Sequence, residues 1–151
     1  MKVSELMSPD PACCTMGDSA HKAAVIMREL NVGIIPVVDS EEGGKLLGVV
    51  TDRDLCMKVV ADGKDPKAMH LEDCMTTAVV TCAPDDDVET VMHLMQENQV
   101  RRIPVVGKEN RIEGIVSTAD IVLCGELAAE EIDETMRDIS EPNFEEFEHL
   151  T

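Results

Sequence analysis

Two four-residue segments concentrate the polar chemistry of this sequence: Thr51-x-x-Asp54 and Ser117-x-x-Asp120. Each closes a β-rich apolar run and opens a stretch of helical composition, so a hydroxyl and a carboxylate share the first turn of a helix. One reading is structural. Ser or Thr followed three residues later by an acid forms a reciprocal cap, in which the hydroxyl accepts from an early helix N–H and the acid accepts from the cap residue. The other reading is binding. A helix start offers free N–H groups and a favourable dipole to phosphate, and a carboxylate one turn in can take both hydroxyls of a ribose. Gly48 and Gly114, three residues before the hydroxyls, would let a ligand approach the backbone. The residues alone leave both readings open.

The motif occurs twice because the chain does. Ile34-Ile35-Pro36-Val37-Val38 answers to Arg102-Ile103-Pro104-Val105-Val106, and Val3-Ser4-Glu5-Leu6-Met7-Ser8 answers to Leu71-Glu72-Asp73-Cys74-Met75-Thr76. Val3 pairs with Leu71 and Thr51 with Ser117, so an offset of 68 falls to 66 across a shorter second hairpin. Repetition at a fixed offset marks a duplication. In each copy, apolar spacing predicts a helix, over Ala20 to Leu30 with Asp18 or Ser19 as N-cap, and again from Val88 through Met95. The Pro-Val-Val runs and the returns Leu46–Val50 and Ile112–Val116 predict hairpins. A short strand is expected within Asp10–Thr15, matched by Ala78–Cys82. Second helices are expected over Asp52 to about Ala61 and Thr118 to about Ala129. Each unit thus reads strand-helix-strand-strand-helix, an α/β (α+β) class. The boundaries are repeat 1 over 1–62, a linker over 63–70, repeat 2 over 71–129 and an acidic tail over 130–151. The tail is a weakly apolar helical extension expected to fray after Pro142, with its last ten residues mobile.

Composition narrows the function. Halves of about 60 residues would be marginal alone, so shared cores are expected. There is no Trp or Tyr, and the two Phe lie in the tail, so a bound nucleobase would rest on aliphatic side chains. That disfavours single-stranded nucleic acid, which favours aromatic platforms. The net charge of −18 would likewise repel a polyanion. Half of it falls in residues 126–151, which hold ten Asp and Glu against one Arg. Six cysteines show no Cys-x-x-Cys spacing, and no signal-peptide pattern opens the sequence. Reduced, mostly buried thiols in a cytoplasmic protein are expected. No apolar run reaches membrane-spanning length. The four histidines have no ligand spacing, and no nucleophile–base pair or Walker-type loop appears, so neither a metal site nor an enzyme is expected.

The ordered pattern apolar-Pro-Val-Val, then Gly-apolar-Val-Thr/Ser-x-x-Asp, resembles the CBS domain. Its tandem occurrence over about residues 1–125 resembles a CBS pair, or Bateman module. The resemblance implies two repeats packed about a pseudo-two-fold axis. It also implies two clefts for adenosine-containing ligands (AMP, ADP, ATP or S-adenosylmethionine), no required cofactor, face-to-face homodimers and an unknown regulated protein. By position it assigns Asp54 and Asp120 to ribose hydroxyls and Thr51 and Ser117 to ribose or phosphate. It places Val49, Ile115, Ile35 and Ile103 around adenine. Arg101 and Arg102 fall at the phosphate-facing positions, where copy one has Gly33 and Ile34 instead, so the clefts are expected to be unequal. The implied function is regulatory sensing of an AMP-like ligand. The alternatives are an S-adenosylmethionine sensor and a ligand-free oligomerisation scaffold. Arg53 is read as a solvated helix-start residue.

Overall fold

A computed structural model describes residues 1–125 and 127–141. A short helix α1 (Val3–Leu6) leads into β1 (Ser8–Pro9) and β2 (Cys14–Thr15). Helix α2 (Ala20–Leu30) covers the expected span, with the Ser19 hydroxyl accepting from the Lys22 amide at 3.0 Å. The hairpin β3 (Ile34–Val38) and β4 (Leu46–Thr51) follows, then α3 (Asp52–Leu55), which widens into a π-helical turn over Cys56–Val60. The second copy has α4 (Val88–Asn98), the hairpin β5 (Arg102–Val106) and β6 (Ile112–Ser117), and α5 (Thr118–Leu123).

Two small sheets result, ordered β2-β3-β4 and β1-β6-β5. The strand expected over Ala78–Cys82 is reduced to a single bridge, Cys82 to Val105. The lead-ins are exchanged between the copies. β1 pairs antiparallel with β6 of the other copy, through Ser8↔Ile115 and Pro9↔Gly114. Reciprocally, Thr76 and Val49 exchange backbone hydrogen bonds of 2.8 and 2.9 Å. The cores follow the exchange: Val3 is buried among Val91, Met95, Ile103 and Val116, while Leu71 and Cys74 are buried among Ala23, Ile35, Val37 and Val50. Burying one such side chain stabilises by about 1.5–3 kcal/mol. Each copy therefore inserts an apolar anchor into the core of its twin.

The exchange also explains the paired glycines. A Cβ at Gly48 would lie 2.5 Å from the Thr76 carbonyl oxygen, and one at Gly114 would lie 2.8 Å from that of Ser8. The close approach that the sequence reserved for a ligand is made by the chain itself. The second helix of copy two also departs from its expected span. It stops at Leu123 ahead of Gly125, which has φ +71°, and a separate helix α6 (Ala129–Ser140) begins beyond the break. Helix α6 packs on α4 and buries Thr135 and Ile139. The fraying expected after Pro142 lies outside the described residues.

Candidate functional site

Both motifs are reciprocal helix caps. Asp54 accepts from the Thr51 amide at 3.0 Å while the Thr51 hydroxyl accepts from the Asp54 amide at 3.0 Å. Ser117 and Asp120 repeat the arrangement at 2.8 and 3.3 Å. The surroundings of the two acids differ. The Asp54 carboxylate also receives the Thr76 hydroxyl, at 3.1 and 3.2 Å from its two oxygens, and lies 3.3 Å from the Lys58 ammonium. Lys58 in turn donates to the Cys74 carbonyl at 3.1 Å. Burial pushes the nearby Cys74 thiol up, and the Asp54 charge adds to that while Lys58 opposes it. In copy two Cys124 replaces Lys58, and Ser8 replaces Thr76 without bonding to the acid. Among the described residues, the Asp120 oxygen not used by the cap, Oδ1, has no hydrogen bond.

Two clefts lie between the copies. The first, about 350 Å³, is lined by Ile34, Val49 and Thr51 of copy one and by Thr76, Ala78–Val80, Asn98, Val100–Arg102 and Pro104 of copy two. The second, about 360 Å³, is lined by Ile115, Ser117, Asp120 and Arg102 of copy two. Copy one contributes Ser8, Asp10–Ala12 and Leu30–Ile34 to it. Both sizes suit a small ligand. The linings correspond under the duplication except at Pro104, Asn31 and Asp120, whose equivalents Pro36, Gln99 and Asp54 line neither cleft.

Of the residues singled out by sequence, Val49, Thr51, Arg101 and Arg102 meet at the first cleft, and Ile115, Ser117, Asp120 and Arg102 at the second. Asp54 lines neither cleft, and its carboxylate is held by Thr76 and Lys58. Ile35 and Ile103 are completely buried in their own cores and face neither cleft. Strand alternation accounts for this, because side chains two residues apart share a face. The positions that line the clefts are Ile34, Arg102 and Pro104. Thr76, Ser8 and Asp10 were missed as cleft residues, although the repeat already marked Thr76 and Ser8 as equivalents. Arg53 is exposed and lines neither cleft.

A family model for the CBS domain matches residues 3–61 and 71–124. The chain belongs to the CBS domain family. Similar proteins include the Bacillus subtilis (strain 168) protein YlbB, 43% identical over 140 residues and covering 93% of this chain and 92% of the relative. Hypoxic response protein 1 of Mycobacterium tuberculosis is 31% identical over 117 residues, covering 78% and 80%. Among solved structures, the CBS domain pair of protein MJ0100 in complex with 5′-methylthioadenosine and S-adenosyl-L-methionine superposes with a TM-score of 0.73. It is 31% identical, with coverage of 82% of this chain and 94% of that one. The CBS pair is thus the frame in which these clefts are to be understood. Among the described residues, no group of three His, Cys, Asp or Glu is gathered to hold a metal ion, and no helix is long and apolar enough to cross a membrane.

Proposed function

We propose that this protein is a non-catalytic regulatory module that binds an adenosine-containing ligand between its two CBS repeats. The observation that carries the reading is the second cleft, where Asp120 has one carboxylate oxygen that no described residue bonds, with Ser117 and Arg102 on the same cavity. Ribose hydroxyls would donate to Asp120, the purine would rest on Ile115 and its aliphatic neighbours, and Arg102 would meet a phosphate. An AMP-like ligand fits this set first, because one guanidinium is available there against Asp10 and Asp120. The complex of MJ0100 with 5′-methylthioadenosine and S-adenosyl-L-methionine supports the adenosine class and keeps the sulfonium ligand as the named alternative. Binding would act by favouring one arrangement of the repeats over another.

The module would work as a homodimer in the cytoplasm. Met57 and its equivalent Leu123, 54% and 83% exposed, offer matched apolar contacts to a second copy. All six cysteines are unpaired, as suits a reducing compartment. The scaffold reading is favoured at one place, Asp54, whose carboxylate is already occupied within the fold.

The deciding experiment is a thermal-shift titration with AMP, ADP, ATP, S-adenosylmethionine and GMP. A ligand that binds only the folded state at a hundredfold over its Kd adds about 2.7 kcal/mol of stability. A rise with an adenosine compound, absent with GMP, supports the sensor. No response to any compound at millimolar concentration leaves the scaffold.

A further inference from the structure

Arg102 and Ile34 occupy equivalent positions in the two copies, and each of them lines both clefts. The junction between the cavities therefore carries one apolar side chain and one guanidinium. The guanidinium leans across the copy boundary over Gly33. A Cβ built on Gly33 would lie 2.8 and 3.0 Å from the two Arg102 terminal nitrogens. Asp52 Oδ2 reaches the same spot, 3.0 Å from that Cβ position. Among the described residues the Arg102 side chain makes no hydrogen bond or ion pair, whereas its neighbour Arg101 donates to the Ser140 hydroxyl at 3.4 Å. The equivalent of Gly33 is Arg101, so the loss of a side chain at this position in copy one opens the space through which Arg102 reaches the second cleft.

We infer that Arg102 is a phosphate-positioning residue shared by the two clefts, so that phosphate-bearing ligands in the two clefts oppose one another. This rests on the adenosine-binding reading above and adds the coupling between its sites. A phosphate in the first cleft meets Arg101 and draws Arg102 towards it. The second cleft is then left with Asp10 and Asp120 and no cation, a poor field for an anion. By thermodynamic reciprocity, an anion in the second cleft weakens binding in the first by the same factor. A nucleoside without phosphate makes no claim on the guanidinium and fills the clefts independently.

The test is a site-resolved NMR titration of the full chain, following the Thr51 amide for the first cleft and the Ser117 amide for the second. AMP and adenosine are the probes. For AMP, the second cleft to fill is expected to bind at least about tenfold more weakly than the first, the equivalent of one charge-assisted hydrogen bond. For adenosine the two amides titrate independently. R102A should weaken AMP at both clefts and leave adenosine unchanged. G33A should weaken AMP only in the second cleft. Gly33 is not in a left-handed conformation, and the atoms crowding its Cβ are the ends of two flexible side chains, so the fold tolerates alanine while Arg102 is displaced. Equal and independent AMP affinities, or an R102A effect confined to one cleft, would overturn the sharing while adenosine binding stands. If neither probe moves either amide, the adenosine reading and this inference fall together.

Discussion

Thr76 donates its hydroxyl to both carboxylate oxygens of Asp54, at 3.1 and 3.2 Å, and so ties the first copy of the acidic motif to the lead-in of the second. Its equivalent, Ser8, makes no such bond to Asp120. The duplication has tied one acid into the structure and left the other, which lines the second cleft, with one oxygen that no described residue bonds.

Asparagine substitutions separate these roles. Asp54→Asn weakens the cap, the Thr76 bonds and the Lys58 pair in a side chain only 12% exposed. It should lower unfolding free energy by about 1–3 kcal/mol with little effect on ligand affinity. Asp120→Asn should cost about 1 kcal/mol and weaken the adenosine ligand at least about tenfold, the loss of a hydrogen bond to a charged group. Urea denaturation and calorimetric titration of both variants check this. Equal stability losses with Asp120→Asn binding normally would remove the distinction.

Acid stability has a local source at the start of α2. Burial opposes ionisation of Asp18, but the Thr15 amide at 2.8 Å and the Lys22 ammonium at 3.0 Å outweigh it and hold its carboxyl below 3.8. A depressed carboxylate stabilises the fold above its unfolded pKa and loses that contribution as pH falls through the folded value. Asp18→Asn should therefore destabilise at neutral pH, with the difference from the parent vanishing as the pH drops below 3.8. Denaturation midpoints measured from pH 7 downward test it, and a difference that persists at low pH would point to lost packing instead.

At the alkaline end the buried thiols take over. Burial pushes Cys82 up to about 12, with Asp86 adding to the rise, and burial likewise raises Cys14 to about 11. The unfolded thiols ionise near 9.0, so the contribution of these two groups is complete below that pH and is lost as the pH climbs towards the folded values. Cys82→Ala should cost packing at neutral pH yet flatten the decline between pH 9 and 12. With no tyrosine in the chain, the comparison of slopes is free of phenol ionisation. Parallel slopes for parent and variant would show that Cys82 stays protonated in both states or in neither.

Much of the fold was written in local pattern. The period-3.6 spacing of Ala20, Ala23 and Met27 sufficed to bound α2, and Pro-Val-Val sufficed to place both hairpins. The site was only partly legible. Thr51 and Ser117 stand at the clefts, but the sequence could not show that Thr76, 22 residues beyond Asp54, would satisfy that acid, because the exchange of lead-ins is a long-range event. Ile35 and Ile103 were misplaced by one step of strand alternation, a shift that sends a side chain to the opposite face. Gly125 broke the second helix of copy two where apolar spacing alone had carried it on.

The last consequence concerns α6, which composition presents as an acidic extension of little structural weight. Its apolar side is seated on copy two: Ile139 belongs to the core that holds Val91, Met95, Val116 and Val3. Polar contacts fix the register. Gln96 donates to the Thr135 hydroxyl at 2.8 Å, and Gln99 donates to the Asp138 and Glu141 carbonyls at 3.2 and 2.6 Å. Gln99 is itself the left-handed C-cap of α4, with φ 51°, so the end of α6 also braces the turn leading to Arg101. Ile139→Ala removes methyl groups from a closed core and should lower global stability by about 2–4 kcal/mol, with faster amide exchange along α4. A solvated extension would lose under about 0.5 kcal/mol and leave α4 protected. Urea denaturation with hydrogen exchange separates the two, and the smaller loss would show that α6 does not contribute to the core of copy two.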